Sequence, residues 1–412
     1  MIIKNNIIEI IIPICILFLL LLSSDPVHYP DSSRYLSGSL IDPPFYSTII
    51  IIMKFVFGSL NSVIIFQTLI IGFGIIYFTK TFAIHFKLNT KVKIFISILL
   101  FLPIIKFYNN LLTEPISYAF SLLLASFIVK LIFNFNIQNL IWSSIFAILL
   151  LLTRHQFMFI YPVIFLIYLT IIIQKSSKKI FVYLIASFFA IILVNNFLNF
   201  ANNHIKKDIL KADPLIYEGS GPFYFIFIDA VYISKVEDSE LFTDQNLRKV
   251  VNTLIKEMDN RKALINHYNG RGHFGQSFKE IRNYSKDMLI NLSVEENIPV
   301  IKLKKNISIK LILVNYKEYI KHIFKKFYDS TWLFIFLPFF MSVIGLMSFI
   351  KYRSKLSQVV LFISTFSLTN HSVVYLFGRV QPRYLIYSDF ILLIFIFIIF
   401  YVFLQKKKSD RI

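Results

Sequence analysis

The chain has 412 residues, of which 56% are hydrophobic and 17% aromatic while only 16% are charged, and its mean hydropathy is +0.67. Soluble domains carry about a quarter charged residues, so this composition excludes one and indicates a polytopic membrane protein. The net charge of +20 would suggest nucleic acid in a soluble protein, but here the basic residues fall where membrane topology puts them, and no nucleic-acid partner is inferred.

From the N-terminus, the first apolar run covers 7–22 and holds the single cysteine, Cys15, which rules out a disulfide framework. The run is long for a signal peptide, only Lys4 precedes it, and no small-residue cleavage site follows. Retention as a first span is expected. The polar stretch SSDPVHYPDSSRYLSGSLIDPPFY, Ser23 to Tyr46, then gathers Asp25, Asp31 and Asp42 with Arg34 and His28. Asp31 precedes Tyr35 by four residues, which on a helix puts both on one face; Asp31 also suits the N-cap of a short helix. The following DPPFYSTIIIIMKFVFGS is apolar but short, begins at Pro43 and Pro44 and stops at Gly58. It is expected to lie as an interfacial helix on the outer face.

Further apolar runs at 62–79, 94–108, 112–132, 139–153, 157–173, 180–199, 331–350, 356–376 and 385–404 approach the roughly 20 residues that cross a bilayer. With the first, they make about ten spans. One set of connections is rich in base: Lys80, Lys87, Lys91 and Lys93, then Lys130, then Lys175, Lys178 and Lys179, then Lys351, Arg353 and Lys355, with Lys4 and the tail Lys406, Lys407, Lys408 and Arg411. The other set holds only Arg34, Lys54, Lys106, Arg154, Arg379 and Arg383. By the positive-inside rule both termini are cytoplasmic and the Ser23 to Tyr46 stretch is outside. Asp25, Asp31, Asp42, Glu114 and Asp389 fall on that same outer side, among isolated arginines.

Between roughly 200 and 330 the chain turns polar, and by parity this segment is external. In DQNLRKVVNTLIKEMDNRKALINHY, Leu247, Val250, Val251, Leu254, Ile255 and Met258 recur at helical spacing. A small helical cap is expected there, with GRGHFG read as a turn and not as a phosphate loop. The expected organisation is an N-terminal transmembrane module over 1–200, of about seven spans and carrying the site loops, an external loop domain over 201–330, and a C-terminal transmembrane module over 331–412, of about three spans.

Glu114 sits in NNLLTEPISYAF, between apolar runs. A charge near hydrocarbon is costly unless paired or wetted, which makes it a functional candidate; a helix-start carboxylate favoured by the dipole is the plainer alternative. Arg154 in LLTRHQF and Arg383 in GRVQPRYL lie at outer helix ends, where the positive-inside bias disfavours them. Their planar forks suit phosphate oxygens, although snorkelling to headgroups also accounts for such placement. Lys54 fits an ordinary snorkelling lysine. The eight histidines show no ligand spacing, so no zinc motif is present. Asp25, Asp31 and Glu114 offer oxygen ligands suited to a hard divalent ion, and no other cofactor is indicated.

Taken in order, DSSRY, DPPFYSTIIIIMKFVFG, LTEPISYAF, LLTRHQF and QPRYLIYSDFILL resemble the GT-C superfamily of membrane glycosyltransferases, the class of protein O-mannosyltransferases and lipid A aminoarabinose transferases. Many relatives follow the first Asp with a second acid, where this chain has Ser32. The resemblance implies an all-α polytopic GT-C-like fold, a polyprenyl-phosphate sugar as donor, inversion at the anomeric carbon, and a glycan, lipid or protein acceptor outside the cytoplasm. It further implies Asp31 as general base, Glu114 as a second acid orienting the acceptor or Asp31, and Arg154, Arg383 and Lys54 as phosphate ligands. Tyr35 and Tyr384 would complete the donor pocket. A polysaccharide polymerase shares the large external loop and isolated arginines, while a lipid or sugar transporter or flippase would place ionisable residues mid-span.

Overall fold

Backbone in hydrocarbon must satisfy its own hydrogen bonds, so apolar runs of this kind fold as helices. The protein's structure, a computed structural model, describes residues 2–22, 25–29, 31–37, 43–210, 222–267, 274–329, 332–377 and 382–409. The helices are α1 (Ile2–Leu22), α2 (Ser32–Leu36), α3 (Pro44–Phe57), α4 (Asn61–Phe86), α5 (Thr90–Phe101), α6 (Glu114–Phe133), α7 (Ile137–Thr153), α8 (Ile160–Lys175) and α9 (Lys178–Leu210). They continue with α10 (Pro222–Ile233), α11 (Gln245–Asn260), α12 (Phe274–Glu295), α13 (Val300–Val314), α14 (Tyr316–Asp329), α15 (Trp332–Tyr352), α16 (Lys355–Phe377) and α17 (Ile386–Ser409). Among the described residues there is no strand, and Val27 with Asn110 forms an isolated parallel bridge.

Six described helices are long and apolar enough to cross a membrane: α4, α6, α8 with its leading turn, α9, α16 and α17. Shorter apolar helices include α3, α7 and parts of α1 and α15. The chain is therefore an all-helical, membrane-embedded protein. It divides into a first unit, Met1–Asn203 with Phe336–His371 and Gln381–Ile412, and a second, His204–Ile335 with Ser372–Val380.

In the first unit α6 is the central post, with 89% of its apolar window buried, whereas α9 buries only 17%. Helix α4 approaches α6 closely at Gly74, where a Cβ would lie 3.1 Å from the Ala119 carbonyl oxygen. Helix α3 has the expected ends. Pro44 is its first residue, and Gly58 closes it in the left-handed region at φ 68°, donating its N–H to the Lys54 carbonyl at 2.9 Å. The span expected over 94–108 is not one helix. Helix α5 stops at Phe101 and turns follow, because Pro103 has no N–H with which to continue the helical ladder.

The second unit has its own core. In α11, Val251, Leu254, Ile255 and Met258 are buried, with Leu247 and Val250 packed at the margin, which is the face the helical spacing predicts. The Asp244 carboxylate caps this helix by accepting from the Leu247 N–H at 2.9 Å. Beneath lies a buried ionic group: Asp229 accepts from His322 Nε2 at 3.0 Å and from Lys326 Nζ at 3.0 Å. Burial and the Asp229 charge push the Tyr319 phenol up to about 12. Asp42, Arg379, Asp410 and Arg411, and Gly270 to His273 of the expected GRGHFG turn, lie outside the described residues.

Replacing Asp229 with Ala leaves Lys326 and His322 buried without their counter-charge, at a cost of about 3–5 kcal/mol. Thermal unfolding of the full chain in detergent should show a large loss for Asp229→Ala and almost none for Glu240→Ala, whose side chain is 73% exposed. Equal shifts would contradict the buried pairing.

Candidate functional site

Asp31 and Glu114 come from distant parts of the chain, and a small set of backbone contacts brings their segments together. The Val27 N–H donates to the Asn109 carbonyl at 2.9 Å, and the Leu111 N–H donates back to the Val27 carbonyl at 3.1 Å. Ser32, fully buried, accepts from the Tyr29 N–H at 2.8 Å and donates its hydroxyl to the Leu111 carbonyl at 2.9 Å. An acid at this position could not make both contacts, since an ionised carboxylate only accepts. In this chain Ser32 fastens the first loop to the segment that leads into α6.

Gln67 holds the same segment from the other side. This α4 residue is fully buried. Its amide donates to the Tyr108 carbonyl and, at 3.1 Å, to that of Asn110, and its oxygen accepts from the Tyr46 hydroxyl at 3.2 Å. Two carbonyls of the turns between α5 and α6 are thereby satisfied. Tyr46 in turn meets the Tyr35 ring edge-on, at 5.2 Å between centroids.

Glu114 opens α6 and is only 1% exposed. Arg154, in the break between α7 and the turn His155–Phe159, reaches Glu114 Oε1 with Nη1 at 2.9 Å. Arg383, in the turn Pro382–Tyr384, reaches the same oxygen with Nε at 3.4 Å and Asp31 Oδ2 with Nη2 at 3.0 Å. Arg34 approaches the other Asp31 oxygen at 3.7 Å. Burial works against both the Arg154 and the Arg383 charge, but Glu114 and the neighbouring tyrosines outweigh it, so both guanidiniums are held more firmly protonated than usual. The Tyr384 ring lies within cation–π reach of both, 4.4 Å from Arg154 and 5.0 Å from Arg383.

Among the described residues, three guanidiniums, those of Arg34, Arg154 and Arg383, lie against the carboxylates of Asp31 and Glu114. Asp31 is the accessible acid, with a side chain 33% exposed against 2% for Glu114.

The turn that carries Arg383 is itself braced. The Tyr384 carbonyl accepts from Gln156 Nε2 at 2.9 Å and from Asn370 Nδ2 at 3.1 Å. Gln156 also accepts from the Tyr387 hydroxyl at 3.3 Å, and Asn370 donates to Ser388 at 2.9 Å. Asp389 joins this network, its Oδ1 accepting from the Ser388 hydroxyl at 3.2 Å and pairing with His371 Nε2 at 2.7 Å.

Of the residues singled out in the sequence, Asp31, Glu114, Arg154, Arg383 and Tyr384 stand together. Tyr35 is buried against Tyr46, so it does not share the exposure of Asp31. Lys54 is exposed and lies eight residues beyond Tyr46 on α3, about 12 Å further along the axis, outside the group. Asp31 holds the N-cap position of α2, but its backbone is helical there and its side chain makes no cap bond. Among the described residues no three His, Cys, Asp or Glu side chains are placed to hold a metal ion. Asp25, Asp31 and Glu114 do not form such a group, and arginines lie against the last two. Gln67, Gln156 and Asn370 were not singled out in the sequence, although an amide inside an apolar run, as in IIFQTLI, is the kind of signal that would have found Gln67.

Exposure separates the two acids energetically. Glu114→Gln takes the carboxylate from the largely buried Arg154, while Arg383 keeps Asp31, and should cost about 3–5 kcal/mol; Asp31→Asn should cost no more than about 1 kcal/mol. Melting of the purified chain checks this, and equal shifts would place the two carboxylates in like surroundings. Compared with known proteins, the chain matches no family model and no curated protein sequence.

Proposed function

We propose that the chain is a GT-C-like membrane glycosyltransferase that moves a sugar from a polyprenyl-phosphate donor to a glycan, lipid or protein acceptor outside the cytoplasm, with inversion. The reading includes about ten membrane crossings, cytoplasmic termini, a location in the cell membrane and a site at the outer helix ends. One observation carries it: Arg383 spans from Asp31 at 3.0 Å to Glu114 at 3.4 Å, with Arg154 on the same Glu114 oxygen at 2.9 Å. Anionic and cationic groups from opposite ends of the chain meet at the ends of apolar helices, the depth at which a lipid-linked phosphate travels.

In this reading Glu114 is the fixed counter-ion that aims Arg154 and Arg383. The donor phosphate binds these two arginines. Drawing Arg383 toward the phosphate frees the Asp31 carboxylate. Asp31 then takes the proton of the acceptor hydroxyl, and the acceptor oxygen bonds to the anomeric carbon from the face opposite the phosphate. The bond from that carbon to the phosphate oxygen breaks, and the electron pair leaves with the phosphate onto the guanidiniums. Inversion follows from the in-line geometry. Tyr384 packs on both arginines and keeps their forks turned to one side, and Tyr35 backs the wall behind Asp31.

Asp31→Asn should lower transfer from a polyprenyl-phosphate sugar by a factor of roughly 10²–10⁴, the usual share of a general base, with unfolding of the detergent-solubilised protein nearly unchanged. Undiminished transfer would remove Asp31 from the role. Mass spectrometry of surface glycans from a deletion strain should show full-length chains missing one decoration. Chains only one repeat long would identify a polymerase instead.

A further inference from the structure

Lys130 stands sixteen residues after Glu114 on α6, about 24 Å along the helix axis, and so at the other end of the first unit from the carboxylate and arginine group. There α4, α6 and α7 line a groove of about 340 Å3. Its inner part is aromatic. Phe127 stacks on Trp142 at 6.0 Å and on Phe146 at 5.7 Å, with the Tyr77 ring 5.0 Å away on the other side and Phe73 beyond it.

Its mouth is polar. Gln138, the second residue of α7, is exposed, and Lys130 lies in the last turn of α6. The Lys130 ammonium donates to the Tyr77 hydroxyl at 2.6 Å and sits 4.2 Å from that ring's centre, which fixes it at the rim. Among the described residues no carboxylate pairs with it. A second cation stands near: Lys355 Nζ donates at 2.7 Å to the carbonyl of Phe133, three residues further along α6.

The order of these residues in depth is regular. On α7, Gln138, Trp142 and Phe146 follow at intervals of four; on α6, Phe127 is one turn inward of Lys130; on α4, Phe73 is one turn from Tyr77. Polarity therefore falls from the helix ends inward along all three walls. Phe73 and Trp142, 57% and 40% exposed, leave the groove open on its flank, which in a membrane-embedded helix bundle is the lipid side.

We infer that this groove seats an anionic glycerophospholipid. One acyl chain lies along the ring stack, the phosphate pairs with Lys130, and the Gln138 amide hydrogen-bonds the headgroup oxygens. The cation without a carboxylate partner sets the sign of the occupant's charge, and the inward aromatic gradient sets its amphiphilic shape. A zwitterionic lipid would bring its own ammonium toward Lys130 and Lys355 and lose the advantage. The inference depends on membrane embedding and is independent of sugar transfer.

The chain has two tryptophans, so Trp332→Phe leaves Trp142 as a single reporter inside the groove. The full-length protein would be placed in nanodiscs of matched composition containing phosphatidylglycerol or phosphatidylcholine with brominated acyl chains. Half-quenching of Trp142 should require about fivefold less of the anionic lipid, the factor that one basic residue contributes near an anionic headgroup. Lys130→Gln should bring the phosphatidylglycerol curve to that of phosphatidylcholine and leave the latter where it was, while Lys130→Arg keeps the difference. Equal quenching by both lipids in the parent protein, an unchanged preference in Lys130→Gln, or no quenching by either because another protein surface covers the groove, would overturn the proposal.

Discussion

A carboxylate that is 1% exposed at the start of an apolar helix has to be neutralised by its surroundings, and Glu114 sets the terms for everything near it. Desolvating one charge costs several kcal/mol unless opposite charge and hydrogen bonds are already in place. Arg154 and Arg383 supply that charge, and each demands a chain break to do so. One sits where α7 ends, the other in a turn before α17. The amides of half-buried Gln156 and buried Asn370 hold the second of these turns in position, so a polar scaffold stands behind a charged one.

The same reasoning accounts for the irregular backbone between α5 and α6. Turns inside an otherwise helical membrane unit leave peptide groups open, and such backbone persists only where protein groups satisfy it. Gln67, Ser32 and the Val27 bridge do this here. They also bring the loop bearing Asp31 against the helix bearing Glu114.

Much of this was legible in the sequence. The i, i+3, i+4 spacing of Val251, Leu254, Ile255 and Met258 marked the buried face of α11 because helix period and burial are linked directly. The Pro43–Pro44 start and Gly58 stop of α3 followed from backbone restrictions alone. Glu114, Arg154 and Arg383 stood out because charges near apolar runs are expensive. Their pairing was less accessible, since which cation meets which carboxylate depends on three chain breaks that no local pattern encodes. Whether Asp25, Asp31 and Glu114 converge as oxygen ligands was not legible for a related reason: carboxylate count says nothing about which cations already lie beside them. Helix α5 looked like a longer span because hydropathy is indifferent to Pro103, whereas the backbone is not.

The contacts of the site are spread very unevenly along the chain. Ser32 waits 79 residues for Leu111, and Asp31 waits 352 residues for Arg383, while Arg154 follows Glu114 by 40. Synthesis runs from the N-terminus and folding follows it. A nascent chain therefore acquires its inner counter-ion early and its bridging one much later, so a ribosome stalled before Arg383 would leave Asp31 without that partner.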